Sequence, residues 1–201
     1  MASTTLDADR FRVLTRGGDL DRVLRGIAAA ERVGLRPIKL NVVLMGGEND
    51  DEIADFVRLT ADRAIIVRFI ELMPIGESAA WERSSFIPAH AVLAACPTLQ
   101  AIGDGGDGVA QVYQLPGGVG KVGLISPMSR DFCGRCNRVR VTADGKLKPC
   151  LHGADEIDLR GLTDAALEDT MRAGILGKPA RHNMTGDRPS ESGRPMHQIG
   201  G

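Results

Sequence analysis

Aromatic residues are scarce in this chain: Phe, Tyr and Trp together make up 3% of its 201 residues. That supply is too thin for a platform that binds single strands by stacking bases on rings. An excess of either charge is lacking as well. Lys and Arg number 25 against 26 Asp and Glu, a formal net charge of -1. No global field therefore favours nucleic acid or an anionic membrane as partner, and any basic site must be local. No apolar run reaches the ~18 residues that a membrane span needs. The opening MASTTLDADRF has no apolar core of a secretory signal, which makes the cytoplasm the expected compartment. Only four cysteines occur. In a reducing compartment they are not expected to form disulfides, and close spacing favours metal over redox pairing.

What is present suffices for a core: 43% of residues are hydrophobic, in a length that suits one ordinary domain or one and a half smaller ones. Leu20, Val23, Leu24, Ile27 and Ala28 recur at helical spacing, with Gly34 placed to end the helix. Pro37 opens the β-branched run Ile38–Met45, read as a buried strand. Asn49 and Glu52 resemble a capping pair ahead of a helix whose buried stripe is Ile53, Phe56, Val57 and Ala61. Ile65–Leu72 is a second buried strand, closed by Pro74, and Ser3–Leu6 reads as the stump of a third. Strand, helix, strand in this order indicates a parallel sheet with crossover helices. Two such strands are too few for a complete sheet of that kind.

Beyond Gly76 the pattern changes. Pro88–Ala95 predicts a short helix; Val109–Leu115, Lys121–Ile125, Arg138–Thr142 and Lys146–Pro149 predict short strands of a small antiparallel sheet. Leu162–Arg172 predicts a last helix stopped by Gly174. From Lys178 onward the polar, Gly- and Pro-rich composition predicts disorder.

The segment FCGRCNRVRVTADGKLKPC carries the strongest chemical signal. Cys133 and Cys136, two residues apart, can face one metal from a single tight turn. An Asp144-Gly145 turn then folds the chain back, so that Cys150 returns towards them. Three thiolates suit an iron–sulfur cluster with one iron left open, or a zinc site completed by His152; three buried cysteines without metal are the plain alternative. Six cations, Arg130, Arg135, Arg138, Arg140, Lys146 and Lys148, face only Asp131 and Asp144 in this stretch. Arg138 and Arg140 alternate along the predicted strand, so both guanidinium forks share a face suited to phosphate or carboxylate, unless the edge is merely solvated. Lys39 and Asn41 share one face of the first buried strand, and Arg68 stands among apolar neighbours in the second. Such a charge is costly unless it lines a wet cavity or forms a structural ion pair.

Other matches fail. Gly117-Gly118-Val119-Gly120-Lys121 resembles part of a phosphate loop, but Val122 replaces the required Ser or Thr. Gly103–Gly108 is read as a hairpin tip, and Cys96 as a core thiol.

At FCGRCNRVRVTADGKLKPCLHG, together with LDADRFRVLTR, PIKLNVVLMGGENDDEI, VRFIELMPIG and the terminal GRPMHQIGG, the chain resembles the radical S-adenosylmethionine GTP cyclases of molybdenum cofactor biosynthesis. The resemblance implies the C-terminal part of an incomplete TIM-type barrel over residues 1–76. A small antiparallel α+β region that binds a [4Fe–4S] cluster and GTP would follow over 77–177, then a flexible tail over 178–201 ending in Gly-Gly. It implies that Cys133, Cys136 and Cys150 ligate the cluster and that its open iron meets the purine of GTP. Arg138 and Arg140 would hold the nucleotide, and Lys39 and Arg68 would reach its phosphates. Met73 matches a position that contacts S-adenosylmethionine, and Gly200 and Gly201 would enter the active site.

The sequence departs from that family in one respect. The family's first cluster requires C-x3-C-x2-C, which is absent here. The expectation is a chain matching the C-terminal three-fifths of such an enzyme, inactive alone and using S-adenosylmethionine only if the missing part is supplied. A second chain completing the barrel, or a homodimer partner, would then complete it. A zinc-stabilised Cys3His binding module without catalytic activity is the alternative.

Overall fold

The computed structural model describes residues 4–76, 85–104, 109–130, 132–185 and 188–199. The chain divides into two compact units: Met1–Leu72 with Ser84–Arg130, and Met73–Arg83 with Asp131–Gly201.

The first unit begins with helices α1 (Ala8–Leu14) and α2 (Leu20–Arg32), each opened by an aspartate cap. Asp7 accepts from the amide of Arg10 at 2.7 Å and Asp19 from that of Arg22 at 3.0 Å, which satisfies amides that a helix start leaves without partners. Strands β1 (Ile38–Leu44) and β2 (Ile65–Glu71) flank the short helix α3 (Ile53–Arg58) and pair in parallel, as the alternation predicts. After α4 (Ala91–Ala95) come β3 (Gln100–Asp104), β4 (Gln111–Gln114) and β5 (Lys121–Ile125). The sheet runs in the order β1-β2-β5-β4-β3. Strand β5 is parallel to β2, whereas β4 is antiparallel to both β5 and β3.

This is a mixed α/β unit, and it corrects one expectation. The strands around 109–125 do not join those around 138–149 but extend the first sheet, so the division between units does not fall at residue 76. The reason lies in β5, where Val122, Gly123, Leu124 and Ile125 are all buried; a strand covered on both sides belongs inside a sheet. One sheet face carries Leu40, Val42, Leu44, Val67, Phe69, Val122 and Leu124 into a core with Ile27, Phe56, Val57 and Val92. Phe56 and Phe69 meet edge to face at 6.2 Å between centroids, and each buried ring contributes about 1.5–3 kcal/mol.

Residues 4–6 form no strand. They are held by side chains from the 49–52 turn instead. Asn49, fully buried, donates to the carbonyls of Thr4 (2.7 Å) and Val43 (2.8 Å) and accepts from the Met45 amide (2.9 Å). Glu52 accepts from the Thr5 hydroxyl (2.6 Å) and the Leu6 amide (2.9 Å). The expected capping pair is therefore a clamp on the preceding segment, and Asn49 makes no side-chain cap.

The second unit contains a three-stranded antiparallel sheet, β6 (Arg140–Val141), β7 (Lys146–Lys148) and β8 (Ile157–Asp158), with helix α5 (Asp164–Leu176). Gly174 does not stop this helix. A Cβ there would lie 2.6 Å from Cδ2 of Leu147 and 2.8 Å from Cδ1 of Ile157, so the missing side chain lets helix and sheet approach. The stretch from 178, expected to be disordered, is tied down over its described residues. Met184 and Ile199 are buried, and Met196–Gln198 forms a helical turn.

Candidate metal and anion centre

Phe132 and Cys136 bracket a single helical turn, Cys133–Arg135, closed by the Cys136 amide donating to the Cys133 carbonyl at 3.1 Å. The chain then enters β6 and reverses at Thr142–Gly145. Three bonds make this turn: the Thr142 amide to the Lys146 carbonyl (2.9 Å), the Lys146 amide to the Thr142 hydroxyl (3.0 Å) and the Gly145 amide to the Thr142 carbonyl (2.9 Å). Gly145 adopts φ +79°, a conformation glycine takes without strain. β7 leads out to Cys150. The predicted hairpin is thus present, with the Cys133–Cys136 turn before it and Cys150 after it. All four cysteines are thiols; Cys133, Cys136 and Cys150 are half-buried, and Cys96 lies in the core of the first unit.

Among the described residues no three His, Cys, Asp or Glu side chains converge as a group that could hold a metal ion. The fit to a soft metal therefore lies in the donor chemistry and the hairpin that carries it, not in a preformed three-thiol cage. The charge around the donors agrees with thiolate ligation. Lys178 donates from Nζ to the Cys136 sulfur at 3.1 Å, to the Cys136 carbonyl at 2.9 Å and to the Arg138 carbonyl at 2.7 Å. Lys148 is 1% exposed, beside Cys150 in sequence, and donates to the Gly153 carbonyl at 2.5 Å. Burial lowers its affinity for a proton, and the nearby Glu156 and Cys150 oppose that. Lys178 is the residue that sequence reasoning missed, because its stretch reads as disordered from composition and its target lies 42 residues away.

Arg140 is half-buried. Burial, then repulsion from Arg138, lowers its ordinarily high pKa; Arg140 opens β6, and Arg138 precedes that strand. Two such forks favour a polyanion. His152 is buried against His182, with ring centroids 4.9 Å apart. Burial, then the neighbouring His182, Lys148 and Arg140, pushes its pKa down to about 4. Its Nδ1 is the one buried side-chain polar atom among the described residues without a hydrogen-bond partner.

The remaining candidates are dispersed. Lys39 and Arg68 stand in the first unit, on the sheet face opposite its helix-covered core. Asn41, Arg68 and Gly123 form one row across β1, β2 and β5. Arg68 Nε donates to Asn41 Oδ1 at 2.8 Å. A Cβ at Gly123 would come within 3.2 Å of Arg68 Cγ, so the glycine makes room for the stem of that arginine. Met73 begins the second unit, where its carbonyl accepts from the Ile75 amide at 2.8 Å. Gly200 and Gly201 lie outside the described residues.

The strap 188–199 holds the loop that bears Cys150. Arg194 forms a fork on Glu156 (2.6 and 2.9 Å) and reaches Asp144 at 2.7 Å. The Glu191 amide donates to the His152 carbonyl at 3.0 Å. Hydrogen bonding to Arg194 holds both carboxyls below their usual range, with further help from Thr142 at Asp144 and from Lys146 at Glu156. A carboxyl depressed by folding stabilises the fold above its unfolded pKa, and that contribution is lost as pH falls through the lowered folded value. Amides of 188–199 are therefore expected to stay protected from hydrogen exchange at neutral pH and to lose protection on acidification below about pH 4, the unperturbed carboxylate range. Arg194→Gln should abolish that protection at pH 7; protection that is unaltered by both treatments would refute the tether.

Comparison with known proteins follows the same segments. The family model described as Molybdenum Cofactor Synthesis C matches residues 65–184. A GTP 3',8-cyclase of Alkaliphilus oremlandii (strain OhILAs) is 50% identical over 200 residues, covering 98% of this chain and 62% of that protein. Those of Alkaliphilus metalliredigens (strain QYMF) and Heliobacterium modesticaldum (strain ATCC 51547 / Ice1) are each 47% identical, covering 98% of this chain and 62% and 63% of those proteins. The chain thus spans about 62% of the length of the curated relatives it matches. No helix among the described residues is long and apolar enough to cross a membrane.

Proposed function

The chain belongs to the Molybdenum Cofactor Synthesis C family, and on that premise we propose that it is the substrate-orienting part of a GTP 3',8-cyclase. Cys133, Cys136 and Cys150 hold a [4Fe–4S] cluster, Arg138 and Arg140 grip GTP beside it, and Lys39 and Arg68 meet the phosphates. When bound, such a cluster supplies an iron open to the purine. The chain's own residues orient the nucleotide by charge and by guanidinium forks. Strands β1, β2 and β5 are read as part of a barrel, with Lys39, Asn41 and Arg68 on its inner side. Met73 is assigned to S-adenosylmethionine, and Gly200 and Gly201 to the active site. What supports the reading is one hairpin with thiols before and after it, the half-buried Arg140 at the start of its first strand and Arg138 two residues before.

These 201 residues contain no C-x3-C-x2-C motif, so a polypeptide of this sequence binds cluster and GTP without cleaving S-adenosylmethionine. A second chain or a homodimer partner would complete the reaction. Anaerobic reconstitution with iron and sulfide is expected to give about four irons per chain and broad absorbance near ~400 nm, with Cys150→Ala losing most of both. No 5′-deoxyadenosine should form from S-adenosylmethionine; its formation by this polypeptide refutes the inactivity. A zinc-stabilised module is the second reading, favoured by the unpartnered Nδ1 of His152. Stoichiometric zinc in a colourless, air-stable protein would establish it in place of the first.

A further inference from the structure

We propose that Asn41 and Gly123 are positioning residues for Arg68: the amide aims the guanidinium at a polyphosphate without cancelling its charge, and the glycine seats its stem. The inference rests on the reading of Arg68 as a phosphate ligand given above, and it involves neither the thiols nor any bound metal. The three residues are cross-strand neighbours in the first unit, Asn41 opposite Arg68 and Arg68 opposite Gly123. Alternation puts Ile66 and Ile70 beside Arg68 along β2, and Val43 beside Asn41 along β1, all partly buried on the same face. A guanidinium among aliphatic side chains is costly unless something holds it.

A carboxylate is the usual holder, and this unit uses one twice: Glu31 accepts from Arg63 at 2.6 Å, and Asp51 from Arg10 at 2.8 Å. Arg68 is treated differently. Its Nε donates to the amide oxygen of Asn41 at 2.8 Å. An amide oxygen accepts but carries no net charge, so the guanidinium is oriented and still positive, as an anion ligand must be. The bond uses the inner Nε, and phosphate is then met by the terminal nitrogens. Gly123 acts on the stem. A Cβ there would lie 3.2 Å from Cγ and 3.8 Å from Cδ of Arg68, so a methyl group would displace the side chain. Stem and head are thus both fixed before an anion arrives, which lowers the ordering cost of binding. Lys39, two residues before Asn41 on the same face of β1, supplies the second cation that a polyphosphate calls for.

The test is calorimetric titration of the 201-residue chain with inorganic triphosphate, alongside melting curves. Arg68→Met is expected to weaken binding by more than tenfold. Asn41→Leu, close in volume but without an acceptor, and Gly123→Ala should each weaken it by about tenfold. Asn41→Asp should weaken it as well while the melting temperature holds, because an ion pair keeps the geometry and cancels the charge. Adding N41L to R68M should change nothing further, since Asn41 acts through Arg68. Wild-type affinity in N41L and N41D with R68M weakened overturns the positioning and leaves Arg68 as a phosphate ligand. A further loss when N41L joins R68M makes Asn41 a ligand in its own right and overturns the inference too. Wild-type affinity in R68M, or no binding by the wild type, overturns the phosphate reading of Arg68 together with it. Should G123A fail to fold, N41L and N41D decide.

Discussion

Replacing Gly120 by alanine should destabilise the first unit by at least about 3 kcal/mol, although one methyl group is all that is added. Gly120 sits where the β4–β5 connection leans on the loop between α3 and β2. Its amide donates to the Thr60 carbonyl at 2.8 Å, and the Val119 amide to the Ala61 carbonyl at 3.1 Å. A Cβ would fall 2.4 Å from the Ile65 carbonyl oxygen, 2.5 Å from that of Arg63 and 3.0 Å from Thr60 Cα. All three are backbone atoms, so no rotamer change relieves the overlap. The relief would have to come from moving β5 off its parallel partner, at the Ile66–Lys121 end of the register. In a chain of this size the loss corresponds to roughly 6–12 °C in melting temperature. Gly193→Ala, with nothing within 4 Å of the added carbon, should lie within about 0.5 kcal/mol of wild type. Equal melting curves for the two variants would show that the connection does not dock as described.

The same glycine shows how far the sequence could be read. The run Gly117–Lys121 was set aside as a phosphate loop because Val122 and a following strand do not fit one, and β5 begins at Lys121. What the run does instead, docking a hairpin against residues 60–65, depends on a partner more than fifty residues away and leaves no local trace. β1, β2, α2 and the cysteine hairpin were legible because each is a local pattern: period-two or helical alternation, or Asp-Gly between short runs. The partners of β5 were not, since its apolar run fits either sheet equally well. Gly174 read as a stop for want of knowledge that Leu147 and Ile157 lie against it. The tail read as disordered because its order comes from single long-range ties, Arg194 to Asp144 and Glu156 above all, rather than from its own composition. Among the candidate residues, the thiols and arginines stand out by their spacing. Lys178, a lone lysine in a polar stretch, could be found only in three dimensions.

Glu71 closes β2, and losing its carboxylate is expected to cost more than any change at the surface. The alternation of β2 directs it to the same covered face as Val67 and Phe69, and it is 0% exposed. Its two oxygens accept from the amides of Ala89, Met128 and Ser129, each at 2.9 Å, and from the Ser129 hydroxyl. One side chain therefore ties the end of β2 to the segment that enters α4 and to the segment that leaves β5. Its hydrogen-bonding neighbours donate to both oxygens, so a carboxamide cannot replace the carboxyl without turning one donor against others. Glu71→Gln keeps the volume, but its NH2 meets donors where an acceptor stood; the cost expected is about 3 kcal/mol. Glu71→Ala leaves the buried Ala89 amide and the part-buried Met128 and Ser129 amides without their acceptor and opens a void beside a fully buried position, for about 4 kcal/mol, a large share of the 5–15 kcal/mol that holds a typical domain folded. Denaturant midpoints would give the order wild type, Gln, Ala. Hydrogen exchange at the amides of 89, 128 and 129 would localise the loss, since those should open first while the amides of β6–β8 keep their rates. Should both variants unfold with the wild type and keep those amides protected, Glu71 is not the tie that its hydrogen bonds describe.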